Sequence, residues 1–146
     1  IRDTLSEMQP QLGGVQVNAA MVPPEPVVLM DDYYFSQALQ NIIMNAIEAM
    51  ERIPVKNRVI NISVSIKNQW VELSIQDYGI GIPETDLDKI FQPFFSSKPI
   101  TRNWGMGLSL CHNIMNAHGG RISVESKVNE GTIFHLVLPL IRICSN

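Results

Sequence analysis

Two runs of strict alternation constrain this chain most. Ile60, Ile62, Val64 and Ile66 alternate with Asn61, Ser63 and Ser65; after Lys67-Asn68-Gln69, Val71, Leu73 and Ile75 alternate with Glu72, Ser74 and Gln76. A period of two puts each apolar set on one side of a strand, and so short a connection makes the pair an antiparallel hairpin. An isolated hairpin is marginal in water, so its apolar face needs a cover. A suitable one lies just upstream. Asp31 or Asp32 caps a helix running to about Arg52, whose apolar stripe is Phe35, Leu39, Ile42, Ile43, Ala46, Ile47 and Met50.

The remaining elements extend this pairing of sheet and helix. Ile1 to about Leu12 is weakly helical through Leu5, Met8 and Leu12, and Gly13-Gly14 ends it. Short strands at 15–17 and 27–30 flank the bend Pro23-Pro24-Glu25-Pro26. A short helix is expected around Glu84 to Phe91. A second good one runs from Gly107 to His118, with Leu108, Cys111, Ile114 and Met115 on one face and Gly119-Gly120 closing it. Ile122 and Val124 mark a strand, Asn129-Glu130-Gly131 a turn, and Phe134, Leu136 and Leu138 the last strand. The expected fold is α+β: a two-layer α/β sandwich with helices on one face of a mixed, mostly antiparallel sheet.

Length and charge narrow the function classes. A chain of 146 residues suits one domain, 1–146, with a core large enough to need neither disulfide nor structural metal. No apolar run approaches the roughly 20 residues of a spanning helix. Eleven basic against fourteen acidic residues leave a net charge of −3, which is not a nucleic-acid footprint. Cys111 and Cys144 read as reduced thiols of a cytoplasmic protein. The start at Ile1, without initiator Met or signal peptide, reads as a piece of something longer.

Four features carry chemistry. Asn41 and Asn45 stand one turn apart on the first long helix, either as a solvated polar face or as amide oxygens suited to Mg²⁺. Asp77-x-Gly79-x-Gly81 after a strand is either an ordinary turn or an acceptor for an exocyclic amine, with Gly79 letting the backbone approach a flat base. Phe91, Phe94 and Phe95 are either core or the anchor of a flap over 96–104, in which Lys98 and Arg102 could reach phosphate oxygens. Gly105-Met106-Gly107-Leu108 opens a helix, where free N–H groups and the dipole favour a polyphosphate. No Gly-x-x-x-x-Gly-Lys-Ser/Thr pattern exists, so this is not a P-loop.

In this order and spacing, the four resemble the ATP-binding catalytic domain of sensor histidine kinases, in the superfamily shared with gyrase, chaperone and mismatch-repair ATPases. Asn41-Ile42-Ile43-Met44-Asn45-Ala46 is similar to the N box and Asp77-Tyr78-Gly79-Ile80-Gly81-Ile82 to the G1 box. Ile90-Phe91-Gln92-Pro93-Phe94-Phe95 is similar to the F box and Gly105-Met106-Gly107-Leu108-Ser109-Leu110 to the G2 box. His118-Gly119-Gly120 and Glu130-Gly131-Thr132-Ile133-Phe134 resemble the usual ending, so the likeness covers about 32–139. It implies a Bergerat-type fold binding ATP and Mg²⁺. Asn45 would be the metal ligand, with Asn41 near the phosphates. Asp77, Gly79, Gly81, Ile82, Phe91 and Thr132 would line the nucleotide site. Lys98, Gly105, Met106, Gly107 and Leu108 would surround the triphosphate.

The resemblance also implies the reaction: the γ-phosphoryl passes to a histidine on a separate dimerisation domain of a homodimeric parent, and then to a response regulator. Alternatives within the superfamily are an anti-sigma-type serine kinase and a non-catalytic nucleotide-binding module. Asn41 stands where the hydrolysing relatives would carry a water-activating glutamate, which favours transfer over hydrolysis. Asn103 replaces a frequent glycine of the G2 region, and Glu48 a frequent basic residue. His112, His118 and His135, all after the G1 box, read as structural residues. The phosphoacceptor is therefore expected to be absent, and self-phosphorylation slight.

Overall fold

The protein is described by a computed structural model covering residues 1–21, 23–96 and 107–143. Four helices, α1 (Arg2–Glu7), α2 (Gln9–Leu12), α3 (Asp32–Ala49) and α4 (Gly107–Ala117), accompany six strands among these residues. The strands are β1 (Gln16–Met21), β2 (Pro26–Val28), β3 (Val59–Lys67), β4 (Trp70–Asp77), β5 (Arg121–Lys127) and β6 (Gly131–Ile143). They form one sheet in the order β1-β3-β4-β6-β2, with β5 also on β6. Only β1 and β3 pair in parallel; every other pairing is antiparallel. The sheet is mixed and mostly antiparallel, as the patterning implies.

The two alternating runs form the predicted hairpin. Asn68, at φ 57°, supplies the left-handed backbone that its two-residue turn requires. On the inner face, Ile60, Ile62, Val64, Val71, Leu73, Ile75, Phe134, Leu136 and Leu138 are all buried. Against them lie Leu39, Ile42, Ile43, Ala46 and Met50 of the first long helix and its cap, then Cys111, Ile114 and Met115 of α4. Each large aliphatic side chain removed from water here contributes roughly 1.5–3 kcal/mol, which is why α3 and α4 stay on the sheet.

Several boundaries differ from the sequence expectation, each for a local reason. Pro10 has no N–H to continue a helix, so the first segment breaks at Met8 into α1 and α2 before the left-handed Gly13. The α3 cap agrees with the sequence: of the two aspartates expected there, Asp31 is the cap, accepting hydrogen bonds from the backbone N–H groups of Tyr33 at 3.0 Å and Tyr34 at 3.2 Å. The helix stops at Ala49 rather than near Arg52, and the Ala49 carbonyl instead accepts the N–H of Ile80 at 3.0 Å. The expected helix at 84–91 is a single 3₁₀ turn, Glu84–Asp86, followed by further turns. The last strand passes through Pro139, which sits beyond the point where β5 starts pairing at Val137.

A cavity of about 400 Å³ opens at one end of the sandwich between α1, Phe35 and the sheet, with Val71 and Leu73 of β4 in its wall. The polar residues singled out above gather at the opposite end of β4.

Candidate functional site

The inner face of β4 reads Val71, Leu73, Ile75 and then Asp77. That of β6 reads Thr132 and then Phe134, Leu136 and Leu138. Asp77 and Thr132 are registered partners, so two polar side chains end the apolar face side by side. Both are buried, each 4% exposed. Burial pushes the Asp77 carboxyl up to about 6, with the Gly79 and Thr132 backbone N–H groups pulling partly the other way. One carboxylate oxygen accepts the Gly79 N–H at 2.8 Å. A buried acidic side chain so little compensated is expensive for the fold, a mark of a site built for a ligand rather than for stability.

The loop after Asp77 is clamped from two sides. The Ile80 N–H goes to Ala49 at the end of α3, and the Ile80 carbonyl accepts the Asn129 N–H at 2.8 Å from the β5–β6 turn. A Cβ on Gly79 would stand 2.5 Å from the Ala49 carbonyl oxygen. The glycine is thus required by helix packing, a reason distinct from the approach to a flat base. Gly81 has φ +72° and lies against the Lys127 carbonyl, where no side chain fits. Ile82 packs partly buried on the core, and its N–H is held by Ser126 Oγ at 2.8 Å.

Along α3, Ala49, Asn45 and Asn41 succeed one another at turn spacing. The stripe spans about 12 Å from the clamped loop to Asn41, at about 1.5 Å per residue. Asn45 is half-buried, and its amide makes no hydrogen bond with another described residue. Asn41 differs: its Nδ2 donates to the Gly107 carbonyl at 3.4 Å, and its amide also reaches the Cys111 sulfur. That contact ties α3 to the start of α4, bringing Gly107 beside the asparagine stripe. Leu108 packs partly buried on the core. The Cys111 thiol donates to the Ala38 carbonyl at 3.4 Å, and burial pushes it up to about 12, so it is an inert packing group.

Phe91 meets Phe134 edge-on with centroids 6.4 Å apart, and its ring lies 5.9 Å from that of His112. It joins the site loop to β6 and α4, as an anchor should. Phe95 packs beside the core, whereas Phe94 is 74% exposed. Lys98, Gly105, Met106 and the flap expected over 96–104, apart from Ser96, lie outside the described residues, as do Arg102 and Asn103. The three histidines all have local partners: Asn116 for His112, Asp31 and Ile114 for His118, and Ser74 and Glu125 for His135.

Ser126 escaped the sequence reading. It shares the inner face of β5 with Ile122 and Val124, and a hydroxyl at that phase of an apolar alternation was the available signal. Among the described residues, no cluster of three or more His, Cys, Asp or Glu could hold a metal. The neutral oxygen of Asn45 suits a hard cation that keeps most of its waters and shares phosphate oxygens, so the donor set fits Mg²⁺ arriving with a nucleotide.

A sandwich with an acidic residue at one end of a helical asparagine stripe and a glycine-flanked helix start at the other defines a nucleotide-binding ATPase-type domain. Residues 30–142 match the family described as histidine kinase-, DNA gyrase B- and HSP90-like ATPase, and the chain belongs to that family. It is 31% identical over 144 residues to the sensor protein TdiS of Thauera aromatica, covering 96% of this chain and 26% of that protein. It is 32% identical over 142 residues to sporulation kinase E of Bacillus subtilis, covering 96% of this chain and 19% of the kinase. The catalytic domain of the histidine kinase ThkA superposes with a TM-score of 0.80 at 30% identity, covering 94% of this chain and 88% of that one. The chain thus spans about a quarter or less of these two curated relatives. No helix among the described residues is long and apolar enough to cross a membrane.

Proposed function

We propose that this chain is the ATP-binding catalytic domain of a sensor histidine kinase, presenting Mg-ATP to a phosphoacceptor histidine on a separate dimerisation domain. The observation that carries the reading is that the loop after buried Asp77 is held at the Ala49 end of α3, with the Asn45–Asn41 stripe following along that helix and Gly107 at its far end. An ionised Asp77 accepts from the exocyclic amine of adenine and repels the carbonyl oxygen that guanine carries there. Gly107 and Leu108 at the start of α4 would hold the triphosphate, to which Lys98, Gly105 and Met106 would supply charge and N–H groups. Asn45 would hold the magnesium ion, which when bound would supply positive charge against the phosphates.

Asn41 is an amide tied to Gly107 and Cys111 and cannot take a proton from water. This supports transfer to an external acceptor over hydrolysis at this position. The domain contributes positioning and electrostatics, with little covalent work of its own. The sensor-kinase relatives support this reading over a serine kinase or a non-catalytic module. The parent would be a homodimer that works in the cytoplasm, with a response regulator as the next acceptor. Calorimetric titration tests the reading: ATP with Mg²⁺ should bind at least about 10-fold more tightly than GTP with Mg²⁺. Equal affinities would reject it.

A further inference from the structure

Ser126, Thr132 and Asp77 form one polar row across three strands, because Thr132 is registered with Ser126 on one side and Asp77 on the other. Ser126 Oγ has three neighbours: the Gly131 carbonyl at 2.9 Å, the Ile82 N–H at 2.8 Å and Thr132 Oγ1 at 2.8 Å. A carbonyl only accepts and an amide N–H only donates, while a serine hydroxyl has a single proton. That proton goes to Gly131. The Ile82 N–H fills one lone pair, and the other is left for Thr132, whose hydroxyl must therefore donate to Ser126. With its proton committed, Thr132 offers only lone pairs to whatever lies above the row.

We propose that Ser126 is a positioning residue that fixes Thr132 as an acceptor, so that with ionised Asp77 the row selects a base edge that donates hydrogen bonds. The inference deepens the ATP-binding reading and rests on it. An amino-purine edge can give protons to both acceptors, directly or through water. An oxo-purine edge turns a carbonyl oxygen toward the row where the amine would stand and keeps only its ring N1–H to give, so lone pairs meet and at least one buried acceptor is left without a partner. Removing the Ser126 hydroxyl would free the Thr132 proton to turn toward the ligand, and an oxo base would then be tolerated.

The test compares ATP with inosine triphosphate, which carries an oxygen where adenine carries its amine. Titrations with Mg²⁺ would use the wild-type chain, Ser126→Ala and Ser126→Thr, with thermal melts as the check on folding. The wild type should prefer ATP by about 10-fold or more, Ser126→Ala should narrow that ratio by about 5-fold, and Ser126→Thr should keep it. A purely structural role for Ser126 would weaken both nucleotides alike and leave the ratio unmoved. If Ser126→Ala loses the fold, Ser126→Cys, which keeps the shape but weakens the hydrogen bonds, makes the same comparison. A selective wild type whose ratio survives Ser126→Ala overturns the role of Ser126 alone, and so does loss of the ratio in Ser126→Thr. Equal wild-type affinity for the two nucleotides overturns the base-recognition reading and this inference together.

Discussion

Asp77 and Thr132 face each other across β4 and β6 as registered partners, both almost fully buried, at the point where the apolar face of the sheet ends. The carboxyl lifted to about 6 and the hydroxyl beside it are the chemical centre of the candidate site. A buried carboxylate that destabilises the empty fold yet suits a ligand makes function and stability separable by substitution.

Asp77→Asn should therefore act in opposite directions on binding and folding. Loss of a charge-assisted acceptor should reduce ATP affinity by about 1.5–3 kcal/mol. The empty protein should melt no lower than the wild type, because the amide still accepts from Gly79 without burying a charge. Calorimetry and thermal unfolding on the same preparation check both halves.

The pH dependence follows from the same group. Its carboxyl binds a proton more readily in the folded chain, at about 6, than at its ordinary value of 3.8. Its contribution to stability is thus fully present below 3.8 and lost as pH rises through about 6, a total of about 3 kcal/mol. Urea unfolding of the empty wild type should show this group adding about 1 kcal/mol at pH 5 over pH 7.5, a component that Asp77→Asn lacks. ATP affinity should move the other way, weakening as pH falls through 6, because recognition of the amine needs the carboxylate.

Gly79→Ala would press a methyl group into the Ala49 backbone. The expected loss is about 1–3 kcal/mol of folding stability, as for other overpacked positions. Denaturant titration of the empty protein measures it. An unchanged midpoint would show that the loop can move away from α3.

Asn45→Ala should weaken Mg-ATP binding while leaving ADP without magnesium nearly unaffected, since its amide has no structural partner among the described residues. Titrations with and without EDTA separate the two. Equal weakening of both nucleotides would remove the metal assignment.

Cys111 should be silent toward thiol reagents in the folded protein. With its thiol pushed up to about 12 and buried beneath Asn41, it carries almost no thiolate at pH 8. In a Cys144→Ser background, labelling should appear only with unfolding, and its rate should track denaturant.

Periodicity and capping are local properties, and they were enough to read the hairpin, α3, α4 and the sandwich they build. The order of the boxes around Asn41, Asp77, Phe91 and Gly107 is likewise legible in the sequence and points to the candidate site. Other features depended on which chain segments meet. Gly79 is required because Ala49, thirty residues away, occupies the space a Cβ would need. Asn41 is tied to α4, whereas Asn45 has no such partner among the described residues, because α3 and α4 pack together at Asn41. Ser126 acquires a role only because strand register sets it beside Thr132, and Thr132 beside Asp77. Side-chain period is written in neighbouring residues. Proton direction, desolvation and steric exclusion arise between residues far apart in the chain, and so only the folded structure decides them.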